Sequence, residues 1–210
     1  MCFSEPVSWA ALAASWTGSA ALATVSPAWR AVAVFLAVVG GMQLWEALLW
    51  RNPACTKTNA TVSKLGAINN HAEPLVYLAA CAVSLEPASQ NLAFAAAFVT
   101  IASSALFAKL TYDFWKRPVR EQCTVDRGDG LVWQWNVHAG VTKPAYALFV
   151  ASLLLTTYAY LPAGTNHAVA FAIAASFLTS YALYRRKAMV GSMWCLYAAL
   201  LPWMFFVFGS

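Results

Sequence analysis

Seven predominantly apolar runs, each close to the roughly 20 residues that carry a helix across a bilayer, divide the chain. They are Val7 to Val25, Trp29 to Trp50, Gly66 to Leu85, Leu92 to Asp113, Pro144 to Leu161, Ala168 to Tyr184 and Ala188 to Phe208. Short connections join them, so the pattern predicts one all-α domain over residues 1–210, a polytopic seven-helix bundle in the membrane. Ala21-Leu22-Ala23 resembles a cleavage site, which raises a signal peptide as the alternative for the first run. No basic residue precedes that run and Glu5 has the wrong sign, so it is read as a helix. Small residues recur at four-residue spacing in the first run (Ala11, Ser15, Ser19, Ala23) and the fourth (Ala96, Thr100, Ser104, Ala108). Such ridges let helix backbones approach closely in lipid. Trp29 and Trp50 bracket the second run as interfacial anchors do.

Against this background two polar clusters stand out: Gln43-Leu-Trp-Glu46 in the second run, and Asn69-Asn70-His71-Ala72-Glu73-Pro74 in the third. An ionisable group in hydrocarbon costs several kcal/mol unless it faces the protein interior, pairs or binds a ligand. Gln43 and Glu46 share one helix face at three-residue spacing, and Asn69 and Glu73 share another at four. Pro74 lacks a backbone donor and clashes with the preceding turn. The third helix is therefore expected to kink or break near Pro74, with the freed backbone lining a cavity.

Composition agrees with a membrane solution. Hydrophobic residues make up 61% and charged residues 10% of the chain, and the mean hydropathy is +0.60, whereas a soluble globule is nearer half apolar. The net charge of +5 is read as a topology signal and not as a nucleic-acid footprint. With alternating helices, Arg51, Lys57, Lys64, Lys116, Arg117, Arg120, Arg127, Lys143, Arg185, Arg186 and Lys187 fall on the side of the N-terminus. Basic residues are retained in the cytoplasm, so the N-terminus is expected to be cytoplasmic and the C-terminus on the opposite side. On that topology Cys55 and Cys123 lie in cytoplasmic loops where thiols stay reduced, so no disulfide framework is expected. The Asn59-Ala60-Thr61 sequon would face the cytoplasm and carry no glycan.

The longest connection, Phe114 to Lys143, has room for structure of its own. Asp129-Gly130 signals a turn, and Leu131, Trp133 and Trp135 follow at alternate positions. Either the tryptophans lie on the membrane surface, or the segment caps an opening into the bundle. Depth draws the candidate site together: at 1.5 Å per residue Glu46 lies about 6 Å inside Trp50, His71 about 7 Å inside Gly66 and Cys195 about 12 Å inside Lys187. Pro6 suits a first helical turn, leaving Met1 to Glu5 to fold back over roughly 17 Å.

The roles follow from residue type. Glu46 and Glu73 are candidate general bases, His71 a proton shuttle, and Gln43, Asn70 and Trp194 ligand-binding partners. Cys2, Glu46, His71 and Cys195 form a candidate ligand set for a divalent metal such as zinc, although no dense motif such as His-Glu-x-x-His is present. Removal of Met1 would expose an amine beside the Cys2 thiol; an ordinary or acylated thiol is the plainer reading. Each residue also has a structural reading: Glu46 paired with His71 or Asn70 would glue helices together, Cys195 would fill the core, and His138 and His167 would be interfacial loop residues. Lys109 and Asp113 can pair at four-residue spacing.

Met1-Cys2-Phe3-Ser4, Gln43-x-x-Glu46 with Trp50, His71-x-Glu73-Pro74 and Gly191-Ser192-Met193-Trp194-Cys195 together resemble multi-helix membrane families of unknown function whose members begin Met-Cys-Phe-Ser or Met-Cys-Trp-Ser. Those members often carry Gln where this chain has Glu73. The resemblance implies that these blocks belong to one site and implies no reaction. A retinal-binding seven-helix protein is excluded because the last run has no interior Lys; His71 could ligate a haem only singly. The sequence reading is therefore a membrane-embedded enzyme or ligand-binding protein for a small or lipid-like molecule in contact with the lipid bilayer. A transporter or proton pathway is the alternative, and a structural subunit of a larger complex the third.

Overall fold

Side-chain oxygens set the helix starts. The computed structural model describes residues 4–128, 130–136, 142–184 and 190–209. Helix α1 (Glu5–Leu22) opens with proline in its first turn, and α2 (Pro27–Arg51) follows Ser26, whose hydroxyl accepts from the Trp29 amide. Thr56 accepts from Asn59 to start α3 (Lys57–Ser84), and Ser89 accepts from Leu92 to start α4 (Gln90–Trp115). Each cap satisfies one of the amides a helix start leaves without a partner. The connection after α4 holds a single turn, α5 (Val119–Gln122), and a small antiparallel pair, β1 (Val125–Asp126) with β2 (Leu131–Val132), before a 3-10 turn at Gln134–Asn136. Helices α6 (Thr142–Tyr160), α7 (Thr165–Tyr184), α8 (Val190–Ala198) and α9 (Leu201–Phe208) complete the fold.

Helices α2 and α3 lie at the centre: α1, α3 and α8 pack on α2, while α2, α4 and α6 pack on α3. The Gly40-Gly41 pair makes this possible. A Cβ on Gly40 would sit 1.9 Å from Ser15 Oγ, and one on Gly41 would sit 3.2 Å from Asn69 Oδ1. In that space Ser15 donates to the Leu36 carbonyl at 3.2 Å and Asn69 to the Val38 carbonyl at 2.9 Å. Small residues and side-chain hydrogen bonds thus hold α1 and α3 to α2, as in lipid-embedded bundles. At the helix ends, the Trp9 indole and the Arg51 guanidinium together hold the Glu5 carboxyl below its usual range.

The surface is inverted relative to a soluble protein. Val83, Phe94, Phe98, Phe171 and Phe208 are exposed, while Gln43, Glu46, Asn70, Glu73 and Thr157 are buried. Among the described residues Pro27–Arg51, Gln90–Trp115, Thr165–Tyr184 and the stretch Val190–Phe208 are long and apolar enough to cross a membrane, and Pro144–Tyr160 is a shorter apolar helix. The chain is an all-α membrane protein.

Several sequence expectations change. Helix α3 begins at Lys57, well before Gly66, because Thr56 caps it and its polar first turns bind the α5–β1 segment. It continues through Pro74 as one helix, so the expected break there is not found. The break falls instead at Ala199–Leu200, where Pro202 has no N–H to give the Ala198 carbonyl. Trp29 is buried against Phe205, with ring centroids 5.1 Å apart, and is not an interfacial anchor. Cys55 and Cys123 form a disulfide with Cα atoms 5.4 Å apart. The expectation of two reduced loop thiols is corrected by packing: α5 docks on α3 and brings two connections together across 68 residues of sequence.

Buried carboxyls behind a tryptophan plug as the candidate functional site

The α4–β1 connection is bound tightly to the bundle. Gln122 Nε2 donates to the carbonyls of Phe114, Trp115 and Arg117 at 3.4, 2.8 and 2.7 Å, closing the end of α4. The Thr124 amide donates to Asn59 Oδ1 and Ser63 Oγ, both at 3.0 Å, and Asn59 Nδ2 donates to the Asn52 and Thr124 carbonyls at 2.9 and 3.1 Å. Asn59 is fully buried with both ends of its amide engaged, so this sequon is closed to glycosylation on either side of a membrane.

Beyond this anchor, Gly128 turns the chain with a φ of 83°, a conformation that glycine adopts without steric cost. The strand pair then carries Leu131, Trp133 and Trp135 into the bundle, where all three are buried. They are buried in protein, so the reading that lays the tryptophans on the membrane surface is corrected. The slot for Trp133 is Gly66, since a Cβ there would lie 2.7 Å from the indole ring.

Trp133 reaches Glu46. Its Nε1 donates to Ser192 Oγ on α8 at 2.9 Å and to Glu46 Oε1 on α2 at 3.3 Å. Glu46 is fully buried, and its Oε2 has no hydrogen-bond partner among the described residues. Gln43, one turn away on α2, is fully buried too.

A second polar level lies deeper. Glu73 is seven residues beyond Gly66 on α3, about 10 Å of helix rise. It is fully buried, neither of its oxygens has a hydrogen bond within geometric limits among the described residues, and the Asn70 amide is its polar neighbour. Asn70 Oδ1 accepts from the Tyr146 hydroxyl of α6 at 2.9 Å. Its neighbour Asn70 stands on the same helix, and among the described residues no group of another helix bonds this carboxyl, so a role as helix glue does not account for Glu73.

His71 faces another way. Its Nδ1 is 2.8 Å from Thr111 Oγ1 on α4, and its ring stacks on Phe107 with centroids 4.2 Å apart. Towards Glu46 it meets Trp135 edge-on at 6.2 Å, and Trp135 in turn contacts Trp133 at 4.1 Å. Two indoles therefore stand between His71 and Glu46, and neither residue hydrogen-bonds the other. Trp194 is buried but gives its Nε1 to Ser176 at 3.0 Å and packs on Phe149 and Phe177. Cys195 is fully buried on α8, three residues past Ser192. Cys2 and His138 lie outside the described residues. Among the described residues no three His, Cys, Asp or Glu side chains come together as a metal site. The proposed zinc set therefore does not assemble from Glu46, His71 and Cys195. His167 pairs loosely with Tyr158 at 3.4 Å, and Lys109 pairs with Asp113 at 2.7 Å as its spacing predicts.

Tyr146 and Thr111 are partners the sequence does not mark, because no spacing ties either hydroxyl to the polar clusters; Ser192 lies in the Gly191–Cys195 block, but its contact with Trp133 depends on the fold. No known protein family, curated protein or solved structure matches the chain.

Proposed function

We propose that the chain is a seven-span membrane protein that binds, and acts on, a small or lipid-like molecule at the buried carboxyls behind the tryptophan plug. The supporting observation is the set of buried carboxyl oxygens that accept no hydrogen bond from another helix among the described residues, Oε2 of Glu46 and both oxygens of Glu73. Stability alone gains nothing from such atoms, whereas a ligand donor or a transferred proton would satisfy them. In this reading Glu46, held by Trp133 and Ser192, is the proton acceptor at the outer level. Glu73 serves the inner level with Asn70 and Tyr146 as orienting groups, and Gln43 extends the polar lining beside Glu46. The basic connections favour a cytoplasmic plug end, and on that side the Cys55–Cys123 bond would be open to exchange with cellular thiols.

A proton pathway is the second reading, favoured by one further feature. Below Glu73 the Tyr77 hydroxyl meets Thr157 Oγ1 at 3.1 Å, so polar groups continue along α3 and α6 towards the far side. Glu46→Gln and Glu73→Gln test both readings, with co-purifying molecules identified by mass spectrometry and proton flux measured in vesicles. Loss of a bound species or of flux in a protein whose melting temperature stays within a few degrees is the expected result. Unchanged binding and flux in both variants would return the carboxyls to a purely structural role.

A further inference from the structure

Towards the plug end, the outer seam between α3 and α4 is hollowed. On the small-residue ridge of α4, Ala96 and Thr100 are fully buried in the helix packing, whereas Ala108 is exposed. A groove of about 390 Å³ opens there, walled by Ile68 and His71 of α3 and by Ser104, Ala108, Thr111 and Trp115 of α4. From Ser104 to Trp115 it follows eleven residues, about 16 Å of helix rise, close to the roughly 15 Å of one leaflet's hydrocarbon. The outward face of α4 carries Phe94, Phe98 and Ile101 exposed before the groove and Tyr112 and Trp115 exposed along it, an aromatic and apolar face suited to lipid.

Its mouth is cationic. Lys64 Nζ lies 5.8 Å over the Trp115 ring and Lys116 Nζ 4.2 Å over the Tyr112 ring. Neither lysine has an ion-pair partner among the described residues, whereas nearby Lys109 is engaged by Asp113. Between mouth and apolar wall stands His71. Thr111 Oγ1 lies 2.8 Å from Nδ1; in the tautomer in which that hydroxyl donates, Nε2 carries the ring proton and can donate into the groove.

We propose that this groove binds one anionic phospholipid. The phosphate lies at Lys64 and Lys116, a glycerol-ester carbonyl accepts from His71 Nε2, and one acyl chain lies along Ser104 and Ala108. The sequence of charge, hydrogen-bond donor and apolar wall runs in the same order as phosphate, ester and chain in a lipid. A zwitterionic headgroup adds a cation where two lysines already stand, and free phosphate leaves the apolar wall uncovered. The inference rests on α3 and α4 crossing the membrane and not on the buried carboxyls.

The full chain, purified in detergent with equimolar dioleoyl phosphatidylglycerol and dioleoyl phosphatidylcholine, is examined by native mass spectrometry. One retained phosphatidylglycerol, preferred over phosphatidylcholine, is expected. Lys64→Gln with Lys116→Gln should cut that preference about 30-fold, at roughly a kcal/mol per cation. Ala108→Trp, which fills the groove and leaves both lysines in place, should abolish retention. If Ala108→Trp fails to fold, Ala108→Leu replaces it, with quenching of Trp115 by brominated phosphatidylglycerol as the readout and Trp115→Phe as its reference. Equal retention of the two lipids, or retention and quenching unaffected by filling the groove, would overturn the proposal. Glu46→Gln should keep the lipid, so failure of the buried-carboxyl reading and failure of this one give different results.

Discussion

At the scale of single residues, Gly66 decides whether the plug can seat. It is the one position on α3 where the Trp133 ring occupies the volume of a missing methyl group. Gly66→Ala should therefore overpack the core and cost about 1–3 kcal/mol, although alanine favours helix more than glycine does. A lowered melting temperature with altered tryptophan emission is the expected signature; a stabilised protein would mean that the indole does not sit there. Residue type was also what the sequence displayed best. Glu46, Glu73, Asn70 and Gln43 stand out because a polar side chain in an apolar run is expensive, and all four are buried. What residue type could not show is which polar groups meet. The expected Glu46–His71 contact is replaced by Glu46–Trp133–Ser192 and His71–Thr111, because helix rotation sets partners and depth does not.

At the scale of elements, apolar runs located the long helices, while polar segments that fold were harder to see. The first turns of α3 read as loop because Asn59 and Ser63 look like solvent-facing residues, yet they bind Thr124 in the interior. The plug is half legible: alternation at Leu131, Trp133 and Trp135 predicts a short strand or helix start at the membrane surface, and only tertiary packing determines that it inserts. The disulfide was hidden for the same reason, since 68 residues separate its ends. Cys55→Ser with Cys123→Ser should lower stability by about 2–4 kcal/mol and loosen the connection from Pro118 to Val132. Thermal melts with and without reductant, together with hydrogen exchange on that connection, measure it. Identical melts would mean that the Asn59–Ser63–Thr124 hydrogen bonds alone hold the plug.

At the scale of the whole molecule, the question is which side the plug end faces. The basic connections predict the cytoplasm, so after mild reduction an impermeant maleimide should fail to reach Cys55 in intact cells and should label it in inverted vesicles. Labelling in intact cells would reverse the orientation and place the disulfide in an oxidising compartment. Whichever side it is, the bond constrains how the chain can be threaded. Its two sulfurs lie on one side of the bilayer, so the segment between them must cross an even number of times. On the seven-span reading proposed above, helices α3 and α4 supply those two passes. A molecule in which either helix failed to insert would have its two cysteines on opposite sides and could never close the ring. The covalent link is thus a parity check on membrane insertion: on a non-reducing gel, chains with a single one of the two helices inserted stay open.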